Sequence, residues 1–131
     1  MMHIKYYLDR SKIHGVGLFA GENIKQGQLI FTASPLLDVN LTQDQFDRLD
    51  KTEKQEIKYW GFFDQSSQRW HVDFDVTKFI NHAAPGNVTQ DKNHQEAYLV
   101  AARNIDKDEE LTQNYLEFET ADDLKKRGIK V

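Results

Sequence analysis

Short strand-like segments separated by turn-forming residues constrain the fold of this chain more than any other feature. Six segments rich in β-branched or aromatic residues are predicted as strands, at residues 4–8, 17–20, 29–33, 59–63, 69–72 and 97–102. The turn formers Asp64-Gln65-Ser66-Ser67 lie between two of them, which predicts a hairpin over residues 60–72. Many short strands with few helices indicate a mostly β fold rather than an alternating α/β fold.

Two helices are predicted beside these strands. Thr42 followed by Gln45 is typical of a capping box at a helix start. Apolar residues then recur at roughly helical spacing, namely Phe46, Leu49, Ile57 and Trp60. We expect an interruption at Lys51-Thr52, so that residues 41–60 form a small helical insert. A second helix is predicted over residues 120–127, ended by Gly128 as its C-terminal cap.

Length and composition indicate an ordinary globular chain. Its 131 residues suit one domain, and the absence of cysteine excludes disulfides and thiolate zinc sites. No stretch approaches the roughly 20 apolar residues of a membrane span, and the start of the chain, which carries Asp9, does not resemble a signal peptide. We therefore expect a cytoplasmic protein, or a nuclear one in a eukaryote, that is not secreted and has no membrane partner.

Charge is unevenly distributed along the chain. The net charge of −4 argues against nucleic acid as a direct partner. Residues 106–123 contain eight acidic side chains and one basic side chain, Lys107. Such a run is most often a solvated acidic face, but its field also raises the local concentration of basic peptides.

Three short blocks contain residues that can do chemistry. Gly15-Val16-Gly17 permits a tight turn with exposed backbone amides, although it lacks the third glycine and the following helix of a dinucleotide-binding turn. Asn81-His82 precedes a Pro85-Gly86 chain break, and Tyr115 follows an acidic turn. Taken singly, each block is more typical of a structural turn or a hydrogen-bonded core residue than of a functional site.

A metal-dependent oxygenase is an alternative interpretation. His71 and Asp73 alternate onto one face of a predicted strand, and His82 or His94 could complete a set of two histidines and one carboxylate. The His-x-Asp pattern is common by chance, so we expect no metal site.

The order of the three blocks resembles the signature motifs of SET-domain protein lysine methyltransferases. These are Gly15-Val16-Gly17, then Lys78-Phe79-Ile80-Asn81-His82 with Asn87 downstream, then Asp108-Glu109-Glu110-Leu111-Thr112 ending in Tyr115. The resemblance runs from about residue 5 to residue 118. It implies a single SET domain over residues 1–131 with the β-clip SET fold, knot-like C-terminal threading and residues 41–60 as the variable insert.

The resemblance also implies an activity and a site. The chain would transfer a methyl group from S-adenosyl-L-methionine to the ε-amine of a lysine in a basic protein segment, such as a histone-like tail. Tyr115 would be catalytic, and Gln113 with Tyr115 would line the substrate channel. Residues expected to bind the cofactor are Gly15, Val16, Gly17, Asn81, His82 and Phe118.

Some positions depart from the family pattern. Gln113 replaces an aromatic residue that influences the number of methyl groups added, so that number is left open. Ala84 stands where relatives with a zinc-binding tail have cysteine. Without that tail, we expect residues 116–131, including Phe118, to close the active site. A SET-like module that binds cofactor or peptide without catalysis is the second interpretation.

Overall fold

The computed structural model describes residues 1–130; Val131, the last residue of the predicted closing segment, lies outside the described residues. The chain divides into two compact units. The first consists of Met1–Ala33 and Phe79–Tyr115, and the second of Ser34–Lys78 and the residues from Leu116 onward. The expectation of a single SET domain stays a prediction.

The first unit contains a hairpin and a five-stranded sheet. The hairpin pairs β1 (Tyr6–Arg10) with β2 (Val16–Ala20) in antiparallel register. The strands of the sheet are β3 (Leu29–Thr32), β7 (Asn81–His82), β8 (Val88–Gln90), β9 (Tyr98–Ala101) and β10 (Thr112–Gln113). Their order across the sheet is β3-β9-β8-β10-β7.

Alternating apolar residues of these strands build the core of the first unit. Leu18 and Ala20 of β2 are buried, and so are Leu99 and Ala101 of β9. Side chains two residues apart lie on the same face of a strand, so β2 and β9 each turn one face toward the core. Full burial of one large aliphatic side chain contributes about 1.5–3 kcal/mol relative to exposure.

Strand β10 lies between β7 and β8 and runs parallel to both. Gly86, in the loop between β7 and β8, allows this close approach. A Cβ at Gly86 would lie 2.6 Å from the carbonyl oxygen of Thr112 and 2.7 Å from the Cα of Gln113. The third predicted motif is therefore held beside the second by main-chain pairing. Knot-like threading of the chain stays a prediction.

The second unit contains a three-stranded antiparallel sheet and the three α-helices. The sheet order is β4-β6-β5, with β4 (Val39–Leu41), β5 (Phe62–Asp64) and β6 (Arg69–Val72). The helices are α1 (Gln43–Asp47), α2 (Lys51–Trp60) and α3 (Ala121–Lys126). Short 3-10 helices span Val76–Phe79 and Tyr115–Glu117. Phe46 of α1 is buried and stacks on Trp70 with ring centroids 4.3 Å apart.

The mostly β fold with a helical insert and a C-terminal helix is confirmed. The Thr42–Gln45 capping box is present, and Thr120 caps α3, which ends before Gly128 at φ +77°. The predicted hairpin forms through β5 and β6.

Some element boundaries were predicted wrongly. The first residues of the strand expected over 59–63 belong to α2, where the indole N–H of Trp60 donates to Glu56 one helical turn earlier at 3.0 Å. The interruption of the insert falls before Lys51, because Asp50 and Glu53 form a second capping box. Strand β1 begins at Tyr6 rather than at residue 4.

No helix within residues 1–130 combines the length and the apolar character that a bilayer crossing requires.

Candidate active site

The glycine turn between β1 and β2 is organised by Ser11. The amide of Ser11 donates to the carbonyl of Gly15 at 2.8 Å, and its hydroxyl oxygen accepts the amides of Ile13 and His14 at 2.9 and 3.2 Å. Gly15 has φ +49°, a left-handed conformation that favours glycine, and a Cβ there would meet nothing within 4 Å. The turn is thus fixed on its Ser11 side and open at Gly15.

Asn81 of β7 joins this turn to the third motif. The two hydrogens of its side-chain amide nitrogen are shared among three acceptors, Ser11 Oγ at 3.1 Å, the carbonyl of His14 at 3.0 Å and Glu110 Oε2 at 2.9 Å. Asn81 is buried. Because buried polar groups are costly unless they are hydrogen-bonded, these contacts keep the turn in place against β7.

Glu110 is the acceptor at the centre of this network. Its carboxylate accepts the Ser11 hydroxyl at 2.8 and 2.9 Å in addition to the Asn81 amide. A Cβ at Gly17 would lie 2.6 Å from Glu110 Oε2. The second glycine of the turn therefore leaves room for this carboxylate.

Tyr115 is held at both its backbone and its hydroxyl. Its amide donates to His82 Nδ1 at 3.0 Å, and its hydroxyl donates to the carbonyl of Ile80 through a short hydrogen bond. The His82 and Tyr115 rings lie 5.3 Å apart. Parallel pairing of Gln113 with His82 places the end of β10 beside the end of β7, which brings Tyr115 to this position.

Asn87 fixes the approach of β10 from the other side. Its side-chain amide donates to the carbonyl of Glu110 at 2.8 Å, and its side-chain oxygen accepts the amide of Thr112 at 2.8 Å. One buried asparagine thereby satisfies two main-chain groups just before and within β10.

The first unit brings together seven of the eight residues predicted for the site. They are Gly15, Val16, Gly17, Asn81, His82, Gln113 and Tyr115. Asn81 contacts the glycine turn, His82 contacts Tyr115, and Gln113 is buried within β10. Phe118 lies in the second unit, against Phe62 with ring centroids 4.4 Å apart. The roles assigned to these eight residues stay predictions.

Comparison with known proteins agrees with this arrangement of motifs. A family model described as the SET domain matches residues 15–116. The chain belongs to the SET domain family. Among solved structures, a putative histone methyltransferase of Plasmodium falciparum is similar to this SET domain, with 18% identity and a TM-score of 0.61, over 87% of this chain and 95% of that chain.

Polycomb repressive complex 2 of Chaetomium thermophilum is also similar, with 24% identity and a TM-score of 0.63, over 86% of this chain and 15% of that chain. The same complex bound to S-adenosylmethionine matches with 23% identity and a TM-score of 0.65, over 95% of this chain and 17% of that chain. At these identities the likenesses show the fold alone, and this SET domain spans only a small part of the polycomb chain. No match was found among curated proteins.

Sequence reasoning did not assign a site role to Ser11, Glu110 or Asn87. Ser11 and Glu110 are 99 residues apart, so no local pattern joins them. The available signals were a serine just before a glycine turn and an acidic residue inside the third motif. Asn87 was recognised as part of the second motif without a role.

A cluster of potential metal ligands lies in the second unit. Asp38, His71 and Asp73 offer ligand atoms within 4.8 Å of one another. His71 Nδ1 lies 2.8 Å from Asn40 Oδ1 and Nε2 lies 2.9 Å from Asp73 Oδ1. Burial lowers the pKa of His71, but the hydrogen bond to Asp73 and the charges of Asp73, Asp38 and Asp64 outweigh it, so the pKa is raised. Both ring nitrogens of His71 therefore have protein partners within hydrogen-bond distance, Asn40 and Asp73.

The two-histidine set of the oxygenase alternative differs from this cluster, which contains one histidine and two carboxylates. His82 accepts the Tyr115 amide, and His94 lies 3.7 Å from Asp91 and stacks on Tyr98. These contacts give both histidines ordinary structural partners.

Proposed function

We propose that this SET domain transfers a methyl group from S-adenosyl-L-methionine to the ε-amine of a lysine in another protein. The observation that carries the proposal is the position of Tyr115, whose hydroxyl is fixed to the Ile80 carbonyl and whose amide is fixed to His82. The glycine turn that Asn81 holds lies in the same unit. Membership of the family supports the same activity.

The glycine turn suits the proposed cofactor. Positive φ at Gly15 and open space beside it leave the main chain accessible to a ligand, and Val16 is exposed. We assign the methionine part to Gly15, Val16 and Gly17, and the adenosine end to Asn81 and His82. When bound, S-adenosylmethionine supplies a methyl group already activated by a positively charged sulfur.

The residues of the chain must then align the lysine and keep its amine uncharged. A free lysine has a pKa of about 10.4, so a neutral amine requires desolvation in the channel or a nearby positive charge. We assign orientation of the amine to the Tyr115 hydroxyl and the Ile80 carbonyl, and a position along the substrate channel to Gln113. Tyr115 need not accept the proton, because the proton can leave before attack. Orientation alone can supply a large part of the rate.

The proposed substrate is a lysine in a basic protein segment. Residues 106–123 carry a net charge of −7 from eight acids and one base, which favours a cationic partner. The similar protein of Plasmodium falciparum is described as a putative histone methyltransferase, which is consistent with a histone-like tail.

Calorimetric titration with S-adenosylmethionine tests the cofactor assignment. We expect saturable binding at one site, weakened in Asn81→Ala, which loosens the glycine turn, and unchanged in Tyr115→Phe. An unchanged affinity of Asn81→Ala for S-adenosylmethionine would contradict the assignment of the cofactor to the glycine turn. Absence of binding to the wild-type chain would refute the proposed methyltransferase activity. Binding without turnover would favour a SET-like module that binds cofactor or peptide without catalysis.

A further inference from the structure

The second unit leaves much apolar surface uncovered. Phe46 and Leu124 are its only buried hydrophobic residues in the described chain, whereas Leu36 is 96% exposed and Tyr59 is 65% exposed. Helix α2 has ten residues and buries none of them. Short helices are marginal in water and owe most of their stability in proteins to the packing of an apolar face. This unit therefore presents apolar surface that is available to a partner.

Part of that surface forms an open groove between β4 and α2. Apolar side chains line it, namely Val39 and Leu41 of β4, Leu49 before α2, and Ile57 of α2. Its volume is about 380 Å³. β4 is an edge strand, so within residues 1–130 only one of its sides is paired with another strand. The groove can accept an apolar side chain from a segment lying along β4.

The charge along this groove has one sign. Glu53 and Glu56 line it, and none of the basic residues within 1–130 does. Two of the three lysines of α2 are directed elsewhere, since the ammonium groups of Lys54 and Lys58 lie 5.9 and 5.8 Å from the ring centre of Phe46. The third, Lys51, does not line the groove. An acidic rim around an apolar floor is complementary to a cationic segment that carries an apolar residue.

We propose that this groove binds a short segment of a partner protein in which an apolar side chain is flanked by lysine or arginine. The apolar side chain packs against Val39, Leu41 and Ile57, and the flanking cations pair with Glu53 and Glu56. Burial of one apolar anchor supplies most of the affinity, and the acidic rim selects the partner and speeds association. The proposal requires no methyl transfer and is independent of the proposed activity.

Fluorescence anisotropy with synthetic peptides tests the groove in the absence of S-adenosylmethionine. The probe is a fluorescein-labelled peptide in which one leucine is flanked by lysines between Gly-Ser spacers. The comparison peptides replace either the lysines by glutamate or the leucine by serine. We expect saturable binding of the probe, and we expect both comparison peptides to bind at least about tenfold more weakly.

Variants of the whole chain locate the binding. The double variant Glu53→Gln/Glu56→Gln is expected to bind the probe about tenfold more weakly, and the affinity that remains is expected to depend less on salt. The matched control Asp44→Asn/Asp47→Asn removes the same charge from exposed positions on α1 and is expected to change nothing. Ile57→Ser, checked for folding by circular dichroism, is expected to weaken the probe as well.

Several results would overturn the proposal. These are no binding of the probe, equal binding of the glutamate-flanked peptide, and equal affinity in the groove and control variants. Self-association in sedimentation equilibrium that the double variant at Glu53 and Glu56 abolishes would assign the groove to a second copy of the chain, and would overturn it too.

Discussion

A single side-chain amide at Asn81 satisfies acceptors from two distant parts of the chain. Asn81→Ala leaves the His14 carbonyl and part of the Glu110 carboxylate without this donor. We expect the free energy of unfolding to fall by about 1–3 kcal/mol, which is the usual cost of unsatisfied buried groups. Urea denaturation measures this change. The matched variant Asn93→Ala, at an exposed position, is expected to have a free energy of unfolding close to that of the wild type. Equal losses of unfolding free energy in both variants would contradict the account.

His71 is expected to make stability depend on pH. Its pKa is raised in the folded chain by Asp73, Asp38 and Asp64 against the opposing effect of burial. The stabilisation is therefore fully present below the unfolded pKa of about 6.5 and is lost as pH rises through the folded pKa. Urea denaturation across this range should show declining stability in the wild-type chain and a flatter profile in His71→Gln. Parallel stability profiles of the wild-type chain and His71→Gln would show that His71 does not contribute to the pH dependence.

The separation of the interacting residues limits what a sequence reveals at the residue scale. Asn81, His82 and Tyr115 could be picked out because family motifs contain them in order. The Ser11–Glu110 contact joins residues 99 positions apart, and the Tyr7–Asp108 hydrogen bond joins residues 101 positions apart. Such pairs depend on the path of the folded chain, which local residue patterns do not contain.

Helix α2 offers a test at the scale of an element. Asp50 accepts the amide of Glu53 at 2.8 Å, and the Glu53 side chain accepts the amide of Asp50 at 3.0 Å. Asp50→Ala removes the helix cap and is expected to cost about 1 kcal/mol of unfolding free energy, whereas Asp50→Ser retains a capping oxygen and should cost much less. Chemical denaturation compares the two. Equal losses in both variants would show that capping does not stabilise α2.

Elements with a local signal were predictable, and those made by distant pairing were not. Thr42 correctly marked the start of α1, and Gly128 correctly marked the end of α3. Strands β7 and β10 have two residues each, too few for a period-two pattern, and form only because β10 pairs with β7. Aromatic residues at 59 and 60 suggested a strand by propensity, but the capped helix that begins at Lys51 continues through them.

Over the whole molecule, the acidic stretch is partly neutralised by its own contacts. Glu109 pairs with Arg103 at 3.0 Å, and Glu119 pairs with Arg127 through a short contact. The hydrogen bond to Arg103 lowers the pKa of Glu109, so this carboxylate stays charged within its pair. The field that remains is weaker than the sequence count suggests.

This remaining charge predicts a moderate salt dependence of substrate binding. The KM for a lysine-bearing basic peptide should rise as sodium chloride increases from about 50 to 300 mM, because screening shortens the range of attraction. The kcat should change little, since the proposed chemistry is local. Steady-state kinetics measures both constants, with a peptide of the same lysine and neutral flanks as control. A KM that does not change with salt would contradict a basic substrate.

The most direct test of methyl transfer is the passage of a tritiated methyl group from S-adenosylmethionine to protein lysine. The chain is incubated with a proteome extract, and labelled proteins are identified by mass spectrometry. We expect label on lysine ε-amines, and a single-turnover rate on the most strongly labelled protein that falls on the order of 10²-fold in Tyr115→Phe while cofactor affinity is retained. Absence of label on lysine, or equal rates in the two proteins, would contradict the account.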